Sequence, residues 1–178
     1  MRKFLILFLI PLGFTACTGG DSGTTPAATT DTATGPGVSL PYQAAYSSDF
    51  VPGKQTDVAT VLNSYKYWET NDMKSMRDVF GDSVRMELSG GYVFDNKLDS
   101  FIAMSAKYRD SLSKVELTFY AWTPNHSVDK NEDWVNVWYK EVDTYKTGKV
   151  DSVEYEDDNL LKKGKIVYVS SHVKKFKK

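Results

Sequence analysis

The chain has 178 residues, 22 basic against 23 acidic side chains and a single cysteine. That near-neutral balance lacks the basic excess of a nucleic-acid binder. One cysteine excludes an intrachain disulfide, and because it lies at Cys17, before any foldable segment, it also excludes thiolate chemistry in a folded domain.

The chain opens with Met1-Arg2-Lys3 and continues as the apolar run Phe4 to Ile10, ending at Pro11 and Gly13. A short cationic start before a short apolar run reads as a signal peptide spanning 1–16. The run is well short of the roughly 20 residues a spanning helix needs. Phe14-Thr15-Ala16-Cys17 then resembles the lipobox of bacterial lipoproteins, although Phe14 replaces the usual aliphatic residue. The resemblance implies cleavage before Cys17, acylation of Cys17, and attachment to a membrane of the bacterial envelope, expected to be the outer one. The competing reading is an incidental cysteine in an ordinary secreted protein. More than one acyl chain, at about 0.8 kcal/mol per buried methylene, holds a protein stably on a bilayer.

From 17 to 40 the sequence is rich in Thr, Gly, Ala, Ser, Pro and Asp and almost empty of large apolar residues. Such a segment cannot bury enough surface to offset its ordering entropy, and it reads as a tether with an r.m.s. span on the order of 25 Å. Residues 41–178 are the size of one domain, ending in the basic tail Lys174-Lys175-Phe176-Lys177-Lys178. The tail reads as a solvated terminus.

Within that domain, Thr56-Asp57 reads as the cap of a first helix carrying Val58, Val61, Leu62, Tyr65 and Trp68 on one stripe. Asn71-Asp72 can cap a second helix, with Met73, Met76, Val79 and Phe80 at helical steps up to Gly81. Asp82 to Leu88 alternates as a strand, and Ser89-Gly90-Gly91 is a turn. A third helix is expected from Asp95-Asn96, carrying residues from Leu98 to Leu112. The period then becomes two. Strands are expected from Val115 to Trp122, with Thr123-Pro124-Asn125 as a break, from Trp134 to Tyr145, from Val150 to Glu156 and from Lys165 to Val173. Hairpin connections make these neighbours antiparallel.

Three helices followed by long strands give an α+β class in which the sheet must curl around the helices. In this order, "YKYWETNDMKSMRDVFGDSVRMEL", "DWVNVWYKEVDTYKTGKV" and "KKGKIVYVSSHV" resemble the nuclear transport factor 2-like superfamily, in particular its SnoaL-like branch. The resemblance covers roughly 56–176. It implies a cone of three N-terminal helices packed on a strongly curved antiparallel sheet, with a pocket at the open end, and homodimerisation through the sheet. Members of the superfamily include isomerases, cyclases, dehydratases and domains with no chemistry, so the fold does not decide the function.

In the ketosteroid isomerase branch, a carboxylate after the helical hairpin acts as general base, and a tyrosine and a second carboxylic acid form an oxyanion hole. Counted from Asp82 and Gly164, those positions fall on Glu87 and Glu156, with Tyr65 near the tyrosine position. Proton abstraction next to a carbonyl needs a partly desolvated carboxylate and donors aimed at the developing enolate. Alternation, however, places Glu87 opposite Val84, Met86 and Leu88; Glu156 sits in an acidic run; and Tyr65 belongs to an apolar stripe. No metal-ligand spacing surrounds His126 or His172, and no cofactor is expected.

The candidate ligand-binding set is Tyr65, Trp68, Glu87, Trp122, Trp134, Asn136 and Trp138, because tryptophans on a pocket-facing side stack on planar or sugar-like ligands. Core or interface filling is the bland alternative for the same rings. The leading expectation is therefore a membrane-tethered, non-catalytic domain that binds a small apolar or planar molecule or a protein partner. An isomerase, cyclase or dehydratase with Glu87 as base stands second, and a structural subunit of an envelope assembly third.

Overall fold

The computed structural model describes residues 40–174, and these belong to one compact unit. The signal peptide, Cys17, the tether and the last four residues of the basic tail lie outside the described residues. A short strand, β1 (Phe50–Pro52), leads into helix α1 (Gln55–Thr70), which buries Val58, Val61 and Tyr65. Its first residue follows Lys54, which gives no side-chain cap, so the expected Thr56-Asp57 cap lies inside the first turn. Asn71 closes the helix in the left-handed region, φ 60°, with its N–H donating to Trp68 O.

Helix α2 (Met73–Met76) is capped by Asp72, whose carboxylate accepts from the Ser75 amide at 3.0 Å. It is a single turn, shorter than expected. Val79 O accepts from the Ile166 amide at 2.9 Å, so the chain leaves the helix to start strand β2 (Phe80–Leu88). The two glycines after it turn the chain into β3 (Tyr92–Lys97), a strand where a helix start was expected. Helix α3 (Leu98–Arg109) therefore begins later, and Leu112 opens a strand rather than ending a helix.

Strands β4 (Leu112–Ser127), β5 (Glu132–Tyr145), β6 (Val150–Lys162) and β7 (Lys165–Lys174) form an antiparallel meander. β4 runs straight through Pro124. The Gly53 amide donates to Pro124 O at 3.0 Å just where β1 ends, so the missing proline N–H faces the side on which the ladder has no further strand. The approach is close enough that a Cβ on Gly53 would lie 2.8 Å from Asn125 N, which only glycine permits.

The seven strands lie in the order β1-β4-β5-β6-β7-β2-β3. β2 pairs with β7 in parallel, with Met86 opposite Val169, so the sheet is mixed rather than wholly antiparallel as expected. Register shifts in the β2–β7, β4–β5 and β6–β7 pairs are the irregularities that let a long sheet bend around helices. The core lies between α1, α3 and the inner face of the sheet, where Val84, Val135, Val137 and Ile166 are wholly buried.

Candidate functional site

Along β5 and β6 alternation divides the chemistry into two faces. The inner face of β5 carries Val135, Val137, Tyr139, Glu141 and Asp143, and that of β6 carries Tyr155, Asp157 and Asn159. Apolar positions thus give way to acids towards one end.

Asp157 is buried without a salt-bridge partner. Tyr65 and Tyr139 donate to its Oδ2 at 2.8 and 3.0 Å, and Ser171 donates to its Oδ1 at 2.6 Å. Burial pushes its carboxyl above the usual range, and the three hydroxyl donors pull the other way. The same burial, and the acid beside them, push both tyrosine hydroxyls well up. Around this group the space is filled by rings: Tyr65 lies 4.9 Å from Tyr139 and 5.5 Å from Phe119, and Tyr155 lies 5.3 Å from Tyr139. Glu156, the expected second acid, is exposed on the opposite face, paired across the ladder with His172. One residue of register separates it from the acid that does meet Tyr65.

Glu141 and Asp143 lie two residues apart on the same inner face. Trp68 Nε1 donates to Glu141 at 3.0 Å, and the Trp68 ring stacks at 3° and 6.0 Å on Tyr108. Tyr108 in turn donates to Asp143 Oδ2 at 3.3 Å and meets the Tyr145 hydroxyl at 3.1 Å. Asp143 Oδ1 is buried and has no hydrogen-bond partner. The nearby Arg109 guanidinium spends its donors on the carbonyls of Trp68, Glu69 and Leu112. Burial pushes Glu141 up to about 8, and desolvation also raises Asp143. A carboxyl poised near neutrality beside a second acid is equipped for proton exchange. The sequence signal for it was present: acids at alternating positions that continue a buried apolar face.

The outer face holds Glu87, Trp134, Asn136 and Trp138. Glu87 accepts from Arg85 Nε and Nη2 at 2.9 and 2.7 Å, and Arg85 also bonds Asp95 at 2.9 Å. That guanidinium holds the Glu87 carboxyl below its usual range, and the side chain is 39% exposed. Glu87 therefore lacks the desolvation that a base of the expected kind needs, which counts against its expected catalytic role.

Trp134, Asn136 and Trp138 project from the outer face of β5. Asn125 donates to Asn136 Oδ1 at 2.7 Å, and Asn136 donates to Asp158, so a polar row crosses β4, β5 and β6. Trp134 meets Tyr46 edge-on at 6.2 Å and Tyr168 at 6.0 Å. Tyr46, Phe50, Asn125, Trp134, Asn136 and Asp158 line an open cleft of about 440 Å³. A second cleft, of about 370 Å³, lies beside Trp138 between Tyr120 and His172. Trp122 borders neither. It is 46% exposed, and its ring meets Phe119 edge-on at 6.4 Å. The expected ligand set is thus divided: Tyr65, Trp68 and Trp122, which pairs with Val137, on the inner face, Trp134, Asn136, Trp138 and Glu87 on the outer.

Among the described residues, no group of three or more His, Cys, Asp or Glu is placed to hold a metal ion, and no helix is long and apolar enough to cross a membrane. No protein-family model matches the sequence, and no curated protein matches it. Solved structures do resemble it. A nuclear transport factor 2-like protein of unknown function from Exiguobacterium sp. 255-15 superposes with a TM-score of 0.56 at 15% identity, over 66% of this chain and 99% of that one. A similar protein from Burkholderia pseudomallei K96243 gives 0.55 at 15% identity, over 67% and 91%. A putative polyketide cyclase from Xanthomonas campestris pv. campestris gives 0.52 at 16% identity, over 66% and 89%. The domain has the nuclear transport factor 2-like fold.

Proposed function

We propose that this chain is a lipid-anchored protein of the bacterial envelope whose domain binds a small planar or sugar-like ligand on the outer face of its sheet, without catalysis. The cleft over Trp134, floored by the Asn125–Asn136–Asp158 row, carries the reading. It offers an aromatic surface beside fixed polar groups, the combination that orients a small ligand. The interior gives less room, because the rings of Tyr65, Phe119, Tyr139 and Tyr155 pack against one another. Native mass spectrometry of the full chain, incubated with an extract of envelope metabolites, is expected to show a retained ligand. Trp134→Ala should cut the retained fraction at least tenfold. A wild-type chain that retains nothing sinks the reading.

A second reading, proton-transfer chemistry of the isomerase or cyclase kind, is favoured by Glu141, which burial pushes up to about 8. The base role then passes from Glu87 to Glu141. Homodimerisation through the sheet, or incorporation into an envelope assembly, would cover the outer face. Sedimentation of the purified chain and cross-linking in intact cells separate these arrangements from a monomer with an open cleft.

A further inference from the structure

We infer that the ligand of the outer face is an uncharged glycan chain, lying along β5 and touching both clefts at once; this deepens the binding function proposed above and rests on it. Trp134 and Trp138 stand on the same face of one strand, four residues apart, with no register shift between them in the β5–β6 ladder. At roughly 3.4 Å per residue their points of attachment are about 14 Å apart. Each belongs to its own cleft. A small planar molecule fills one cleft; only an elongated ligand with repeated apolar faces meets both tryptophans.

The groups between and beside the rings narrow the chemistry. Asn136 uses one amide hydrogen on Asp158 and accepts one bond from Asn125, which leaves it a second hydrogen and a further acceptor position. Asn125 and Asp158 add unused donor and acceptor capacity. A row that both donates and accepts, held rigid by its own bonds, matches hydroxyl groups, which do the same. A lipid chain would strip water from this row and return nothing. Polyanions meet Glu154, Glu156 and Asp158 on the outer face of β6, three carboxylates that outnumber Lys140 and Lys174 on the same face and so disfavour them. An extended peptide has no strand to pair with here, because β5 is already hydrogen-bonded on both sides. A hydroxyl-rich, uncharged chain with stackable ring faces satisfies all four conditions.

Isothermal titration of the full chain, in a detergent without a sugar headgroup, tests this with cellohexaose, chitohexaose and maltohexaose against glucose and N-acetylglucosamine. At least one hexasaccharide is expected to bind tenfold or more tighter than its monosaccharide. Trp134→Ala and Trp138→Ala should each abolish that gain, and a heparin hexasaccharide should not bind. The chain-length comparison needs no variant, so it stands even if Trp134→Ala fails to fold. The inference is overturned if no hexasaccharide binds, if length brings no gain, or if the gain survives Trp138→Ala. A flat heteroaromatic retained in the mass-spectrometric experiment while every glycan fails overturns the glycan assignment and leaves the binding module; retention of nothing removes both.

Discussion

Tyr65 was legible from the sequence as a residue near an acid; which acid was not. Glu156 and Asp157 are neighbours, and a shift of one position carries a side chain from one face of a strand to the other. The acidic run 154–158 offers no local mark of which member turns inward, whereas the tertiary pairing of β6 with β5 and β7 settles it. Glu141 was overlooked for a different reason. A charged residue in an alternating strand is ordinarily assigned to solvent, and only the capping of this face by Trp68 and Tyr108 takes it partly out of water. That burial has a sign. A carboxyl whose folded-state pKa lies above its unfolded value binds more protons when folded, so stability falls as pH rises between the two values. For Glu141 the window runs from about 4.5, its ordinary value, to about 8. Glu141→Gln keeps the shape without the ionisation, and it is expected to flatten the fall in Tm between pH 5 and pH 8. Thermal denaturation monitored by circular dichroism at several pH values checks this. An unchanged slope would show that Glu141 is ionised as easily in the fold as out of it.

Helix α1 and the four-strand meander follow from periodicity, and both were readable. The errors at this scale have a common cause: boundaries set by partners distant in sequence. Val79 and Phe80 fit a helical stripe, yet they bond and pair with Ile166 at the other end of the chain. Tyr92–Lys97 carries a turn-like Asp-Asn pair and becomes a strand because β2 lies beside it. Pro124 looks like a stop and is tolerated because its neighbour strand ends there. Strand β1 itself left no signal, being three exposed residues held by β4. Its junction is nevertheless tight. Gly53→Ala would set a Cβ against the backbone of Pro124 and Asn125, which cannot move aside cheaply. A loss of about 1–3 kcal/mol is expected, as for other overpacked sites, measurable as a lower urea midpoint. Because Phe50 belongs to the same strand and walls the first cleft, ligand retention should fall with it.

For the whole molecule, the proposed address rests on the sequence alone, whereas the proposed activity needs the fold. The proposed signal and lipidated Cys17 would act before folding and would depend only on local sequence, so the proposal draws on no tertiary information. Cys17→Ser is expected to move the protein from the membrane to the soluble fraction; unchanged fractionation would contradict the anchor. The proposed ligand-binding surface was only partly visible, because the seven candidate residues chosen for chemistry belong to two opposite faces. The parallel pairing of β2 with β7 adds an order of events. During synthesis the β2–β3 hairpin is complete early and β4 to β6 follow, but the two portions remain separate sheets until the last strand is made. Such distant pairing is slow to close. A chain exported as proposed would therefore have its two half-sheets unjoined until β7 has followed, and a truncation that removes β7 would leave each with an unpaired edge open to other chains.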